Sequence, residues 1–534
     1  MVAARVLSFG SLMNLAAPVS IPVRRSLAAW ATLALFIVIF SYAFTLTMAA
    51  ACVYIPYVLL TKFPAIQSLV LFLAGIVMAT TIVWSLVPRR DRFRAPGPRL
   101  QLEKHPRLLS ELTAISASLN ESPPREVYLT MEMNAWVAER GGTMGFGSRR
   151  VMGLGLPLVQ VLTVSQLRAV LAHECAHFYG GDTRLGPWIY KTRDAMVRTL
   201  TSLTSAPMQQ ALGRISLAYF AYKLVVRGLD LYWRLFMRAT QLISRRQELR
   251  ADELACCVAG SQSFIGGMQS IHGASAVLPA FWRNEMVPAL EAGYRLPIGE
   301  GFARFMAAAP VSQAVANALD TALKQSETAP FDTHPPLAVR VAAARQHPFR
   351  ELPATDPQAT VLIDDLPGLE MELLGMMGPP ETVAQLQPLN WDQTGDQVLI
   401  PSWRKYFAEY GSAVEGVFVE SLPDALKDSV KIGARLRDVP GSLLTPEQRG
   451  DRVRGLLWIA FALALLDNGW ELHSQPGELY LKRDEDRLEP MEIVRDILTG
   501  TISRAVWSDR SRSLGIAALQ LREGRQLPPA VTGS

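Results

Sequence analysis

Thr163-Val-Ser-Gln-Leu-Arg-Ala-Val-Leu-Ala-His-Glu-Cys-Ala-His177 is the stretch on which the reading of this chain turns. Thr163 with Gln166 three residues on is a capping-box spacing, and Leu167, Val170 and Leu171 recur at helical intervals. The pattern predicts a helix opening at Thr163. Residues four apart share a helix face, so His173 and His177 can both turn an imidazole to one metal ion while Glu174 reaches a water beside it. With seven histidines in 534 residues, such an HExxH pattern is expected by chance only about 0.005 times.

Two histidines do not complete a catalytic zinc site, which takes three protein ligands and leaves one position open. The longer pattern HExxHxxGxxH has its glycine at Gly180, but position 183 is Thr. The third ligand must come from elsewhere, and the best candidate is Glu248 in Ser244-Arg-Arg-Gln-Glu-Leu-Arg-Ala-Asp252. Glu248 and Asp252 share a helix face, with Asp252 suited to orienting a ligand histidine. Taken alone, such a pair among arginines also fits a solvated salt-bridge face.

Upstream, residues 26–61 and 63–88 carry no charged side chain, with Lys62 between them, and each run exceeds the roughly 20 apolar residues of a spanning helix. Two transmembrane helices are expected at about 27–52 and 67–87, with a turn around Thr61-Lys62-Phe63-Pro64. The first run is too long for a secretory signal peptide. Residues 1–102 hold nine basic side chains and one acid, Asp91, a balance of +8; the whole chain is +5, so the rest carries −3. The basic excess therefore flanks the hairpin, which argues against nucleic-acid binding and, by the positive-inside rule, puts both ends of the hairpin in the cytoplasm. Four cysteines without a CxxC spacing exclude a disulfide scaffold.

Downstream of the hairpin, a helix near 104–119 and strands at Arg125–Met131 and Arg150–Leu154 precede the motif helix. Residues 184–260 read as long helices. Between Arg214 and Arg238 aromatics alternate with basic residues, a stretch that suits either a membrane interface or packing on the catalytic core. Turn-rich residues 351–384 read as a linker. Beyond them Thr445-Pro-Glu-Gln448 caps a helix whose apolar run, Gly455 to Leu466, is too short to span a bilayer. The whole is a mainly α (α+β) chain: tail 1–25, membrane anchor 26–88, linker and helix 89–124, catalytic domain 125–350, linker 351–384, and a small α+β module at 385–534.

Three ordered motifs carry a resemblance: Leu171 to His177 with Gly181-Asp-Thr183, Glu248 to Asp252, and Thr333-His-Pro-Pro-Leu-Ala-Val-Arg340. Together, over about residues 105–348, they resemble the membrane zinc peptidases typified by HtpX, Oma and the Ste-type CaaX prenyl protease. The resemblance implies a gluzincin domain of the zincin type with a small sheet. In it one zinc ion per chain is held by His173, His177 and Glu248, Glu174 is the base, and Asp252 supports a ligand. It further implies that His334 helps stabilise the oxyanion with Arg340 behind it. Asn134-Ala135-Trp136 resembles the family's edge-strand motif, on which an extended peptide is bound as an added strand. Cys175 reads as a packing residue within the motif.

The implied activity is hydrolysis of polypeptides, membrane or misfolded proteins among them, by a protein embedded in the lipid bilayer. A bacterial inner membrane with the catalytic domain facing the cytoplasm fits the charge pattern. A mitochondrial inner membrane is the alternative, because residues 1–25 hold arginines and no acid. Two other functions stay open: a membrane-tethered adaptor with a structural zinc site, acting through its C-terminal module, and a CaaX-type processing protease.

Overall fold

A computed structural model describes residues 26–87, 91–142, 147–179, 186–205, 217–325, 334–347, 353–436 and 445–521. The tail 1–25, Arg89, Arg90, Gly181-Asp-Thr183 and Thr333 lie outside them. The fold is mainly helical with small sheets. Contacts divide the chain into two units, one of residues up to Ala274 with Asn317–Leu373, the other of Ser275–Ala316 with Leu374 onward. Residues 275–316, placed by sequence in the catalytic domain, therefore group with the C-terminal part.

The first unit opens with the hairpin, α1 (Ser26–Lys62) and α2 (Ile66–Leu86), both containing spans long and apolar enough to cross a membrane. Helix α1 runs ten residues beyond the expected end at 52, through Pro56. Pro56 has no N–H to offer the carbonyl of Cys52 one turn back. Gly75 of α2 lies against that same carbonyl, where any Cβ would collide with it. The two helices can thus approach closely at the point where the ladder of α1 is interrupted.

Beyond the anchor come β1 (Arg99–Leu100), α3 (Pro106–Ser118), β2 (Glu126–Thr130), β3 (Ala135–Arg140) and β4 (Arg149–Gly155). They form one sheet in the order β1-β2-β4-β3, with β4 parallel to β2 and antiparallel to β3. Central β4 buries Val151, Met152 and Leu154, as expected of a strand covered on both faces. Strand β3 is an edge. Its Trp136 lies over Gly153 of β4, where a side chain would strike the indole.

Next are α4 (Leu156–Val161), α5 (Val164–Ala176), α6 (Gly186–Leu203), the 43-residue α7 (Leu217–Ala259) and α8 (Ser261–Phe281), which continues into the second unit. Two further helices follow, α9 (Ala309–Lys324), which belongs to this unit from Asn317 on, and α10 (Leu337–Ala344). Among the described residues, the aromatic stretch on α7 packs on the apolar hairpin. Tyr222 and Leu229 are buried with Met78 and Ile82 of α2, and Phe236 with Val38 of α1. Tyr232 stacks on Phe44 at 4.3 Å and shares a 2.6 Å hydrogen bond with Ser41. Residues 351–384 are not simply a linker: they hold a helix, Leu366–Met377. Pro367 occupies its first turn, where proline is well tolerated.

In the second unit, α11 (Pro446–Leu466) starts at the Thr445–Gln448 capping box, and its apolar run is buried against Val419, Trp470 and Trp507. A three-stranded antiparallel meander, β5 (Glu471–Gln475), β6 (Glu478–Arg483) and β7 (Asp486–Leu488), closes this core with Leu481 and Leu488. The β5–β6 turn donates Gly477 N–H to the half-buried carboxylate of Glu285 at 3.1 Å.

Candidate active site

The motif helix α5 begins where the sequence places it. Thr163 Oγ1 accepts from Gln166 N at 3.3 Å, and the Gln166 side chain accepts from Thr163 N at 3.2 Å. A second clamp was not legible locally: Val164 N donates to Pro357 O and Ser165 N to Asp356 Oδ1, at 2.9 and 3.0 Å. A carboxylate there meets the free N–H groups and the positive end of the helix. The N-terminal half of the helix is also pinned through Arg168, whose guanidinium forks onto Glu111 of α3.

The histidines sit at the last turn of α5, where the negative end of the helix favours a cation. Across from them α7 brings up its carboxylates. His173 Nε2 lies 3.5 Å from Glu248 Oε2, and His177 Nε2 lies 3.7 Å from Glu248 Oε1. One donor atom from each of these three residues falls within 4.8 Å of the other two. Tetrahedral zinc with ligands at 2.0–2.2 Å needs donor separations of about 3.4 Å, so this His₂Glu set fits zinc in chemistry and spacing.

The surroundings are arranged for positive charge. His173 Nδ1 lies 2.9 Å from Asp252 Oδ1, which leaves Nε2 directed to the donor cluster. Burial opposes a charged His173, but Asp252 and Glu248 outweigh it and raise its pKa to about 9. Burial and the neighbouring His173 together push His177 down to about 4. Burial would raise Glu248, yet hydrogen bonds from His173 and His334 hold it far below the usual carboxylate range. Glu174 is different: burial pushes it up to about 7 against the opposing pull of His173. A carboxyl near 7 can both take and return a proton at neutral pH.

His334 lies just before α10 and hydrogen-bonds through Nδ1 to Glu248 Oε2 at 2.8 Å. Its side chain is 57% exposed and lines the same cleft as Glu174. Arg340 of α10 is buried, and its Nε and Nη2 go to Asp252 at 2.9 and 2.5 Å. In this structure Arg340 holds the carboxylate that orients His173. Cys175 is buried on the face away from the donors, and burial pushes its thiol up to about 12.

A cleft of about 360 Å³ opens over Glu174 and His173. Asn134, at the start of edge strand β3, lines one side; Val170 of α5 and Met268, Ile271 and His272 of α8 line another. Ala135 follows Asn134 as the first residue of β3, and Trp136 is turned onto β4. The approach of Asn134 depends on Gly155: its N–H donates to Asn134 O at 3.0 Å, and a Cβ there would strike the carbonyls of Glu132 and Asn134. Sequence reasoning missed His272, whose Nδ1 lies 2.9 Å from Met268 O, and the cap Asp356. Neither stands in a motif, and only the tertiary arrangement brings them to the site.

Comparisons with known proteins place the same stretch of chain beside one peptidase family. A family model, Peptidase family M48, matches residues 103–347. Protease HtpX of Xylella fastidiosa (strain 9a5c) is 28% identical over 231 residues, 42% of this chain and 66% of that relative. Protease HtpX of Xanthomonas campestris pv. campestris (strain B100) is 27% identical over 230 residues, 42% of this chain and 65% of the relative. The aligned stretch thus spans just under two thirds of either relative's length. No solved structure matches the chain. Over residues 103–347, with the donor cluster and the cleft inside that range, this chain is similar to peptidase family M48.

Proposed function

We propose that the protein is a membrane-anchored zinc metalloendopeptidase. The observation that carries the proposal is the convergence of His173, His177 and Glu248 on one point, with Glu174 beside them at the floor of a cleft. Zinc, when bound, supplies Lewis acidity and acidifies water. The residues of the chain supply the rest. His173, His177 and Glu248 would hold the ion, and Asp252 fixes the ring of His173. Glu174 would take a proton from the attacking water and return it to the leaving amine. His334, at the exposed side of the cleft, would donate to the oxyanion. An extended substrate would pair with the free edge of β3 beginning at Asn134, Ala135 and Trp136.

The two apolar helices support a bilayer anchor, and the excess of arginine around them supports a catalytic domain on the cytoplasmic side of a bacterial inner membrane. The likeness to Protease HtpX supports proteolysis, and the apolar hairpin makes damaged or unassembled membrane proteins the substrates proposed. The purified protein should contain one zinc per chain and cleave an unfolded protein. Glu174→Gln should keep the zinc and lose turnover by roughly 10²–10⁴-fold. Undiminished hydrolysis by that variant overturns the proposal, and zinc without hydrolysis in the native protein favours the adaptor reading.

A further inference from the structure

The free edge of β3 has a closed end, and that end is tied to the membrane anchor. Asn134 O accepts from Gly155 N, so the alternation of an antiparallel pair turns the N–H and C=O groups of Ala135, Val137 and Glu139 outward. The next outward N–H in this series, that of Gly141, is already taken by Asp91 Oδ2 at 2.8 Å. Asp91 also accepts from Arg140 Nε and Nη2 at 2.9 and 3.2 Å, and its own N–H donates to Gly142 O at 2.9 Å. Two residues on, Phe93 lies under the guanidinium of Arg140 at 5.3 Å and packs edge-on to Tyr128 of β2 at 5.5 Å. A single half-exposed ion pair would fix little, but four hydrogen bonds and a buttressing ring fix a register.

The chain leaves α2 at Leu86 and reaches Asp91 five residues later. Five extended residues cover at most about 17 Å, so the closed end of β3 stays within that distance of the end of the spanning helix. From Gly141 back to Asn134, at the cleft, is roughly 23 Å of strand.

We infer that β3 is a ruler: a polypeptide emerging from the bilayer enters the edge at the Asp91 end, runs along it to Asn134, and is cut at a fixed distance from the membrane. The substrate class is an extended segment of a membrane-inserted polypeptide, and the bond cut lies roughly 8–12 residues beyond the end of its spanning helix, from the strand rise and the linker reach. Asp91 acts as a positioning residue. This inference rests on the peptidase function proposed above.

The test uses the full chain reconstituted in liposomes with a single-span reporter whose tail repeats one cleavable sequence, so that distance and sequence are separated. Cut positions are read by mass spectrometry, with the same tail in soluble form alongside. The expected result is cutting throughout the soluble tail and cutting of the tethered tail confined to a window of about three residues. In Asp91→Ala the window should widen at least about threefold, with Asp91→Asn, which still offers Gly141 an acceptor, falling between. Equal cutting along both tails overturns the ruler and leaves the peptidase standing. A window unchanged in Asp91→Ala overturns the role of Asp91. Failure to cut either tail overturns the peptidase function itself.

Discussion

Arg340 and Asp252 form a two-pronged ion pair inside the protein, with Nε to Oδ2 at 2.9 Å and Nη2 to Oδ1 at 2.5 Å. Because Asp252 also contacts His173, the arginine on α10 is joined to the donor cluster through one carboxylate. Such partners of a ligand histidine typically tune metal affinity by 10–100-fold. Arg340→Lys, which keeps the charge but loses the fork, should weaken zinc binding by roughly tenfold. Competition against a chelator measures this, and an unchanged affinity counts against the link.

Gly155→Ala should damage the site without touching a donor residue. The added methyl would meet the carbonyls of Glu132 and Asn134 and force the start of β3 away from the cleft. Overpacking of this kind costs about 1–3 kcal/mol. Hydrolysis should fall more than zinc content does, measured on the same preparation. An equal loss of both would mean that the fold, and not the strand position, was affected.

Asp356→Ala removes a cap from the helix that carries both histidines. The expected cost is about 1 kcal/mol, read as a lower Tm. Because Thr163 and Gln166 still close their own capping box, the helix should remain formed and zinc should remain bound. Loss of zinc in this variant would show that the Asp356 contact does more than stabilise.

Glu285 gives a pH prediction in the second unit. Burial raises its carboxyl pKa above the ordinary value of 4.5, against the opposing hydrogen bond from Gly477. The folded state thus prefers the protonated acid, and its advantage is present at low pH and lost as pH rises through the folded pKa. Glu285→Gln, neutral throughout and still able to accept from Gly477, should raise Tm at pH 7–8 by roughly 2–4 °C per kcal/mol relieved. The gain should vanish near pH 4. A gain that is the same at both pH values would rule out ionisation as the cause.

Much of the protein is written locally. The hairpin follows from two uncharged runs and the α5 start from Thr163 and Gln166. The pairing of His173 with His177 follows from the four-residue period of a helix, which requires no partner element. Glu248 and Asp252 were legible as two acids on one face; that this face meets His173 and His177 depends on how α7 packs across α5, which no local pattern encodes. The grip of Arg340 on Asp252, the Asp356 cap and the closing of β3 by Asp91 each join residues 50 to nearly 200 positions apart. Helix α1 continues past the expected end at 52 and through Pro56, and Gly75 from the neighbouring helix packs against the carbonyl that Pro56 leaves without a donor. Sequence by itself determined which groups are available for chemistry, since side-chain type and helical period are local. Tertiary structure alone decided which of them share a cleft and how far that cleft lies from the anchor, because distances between elements are set by packing.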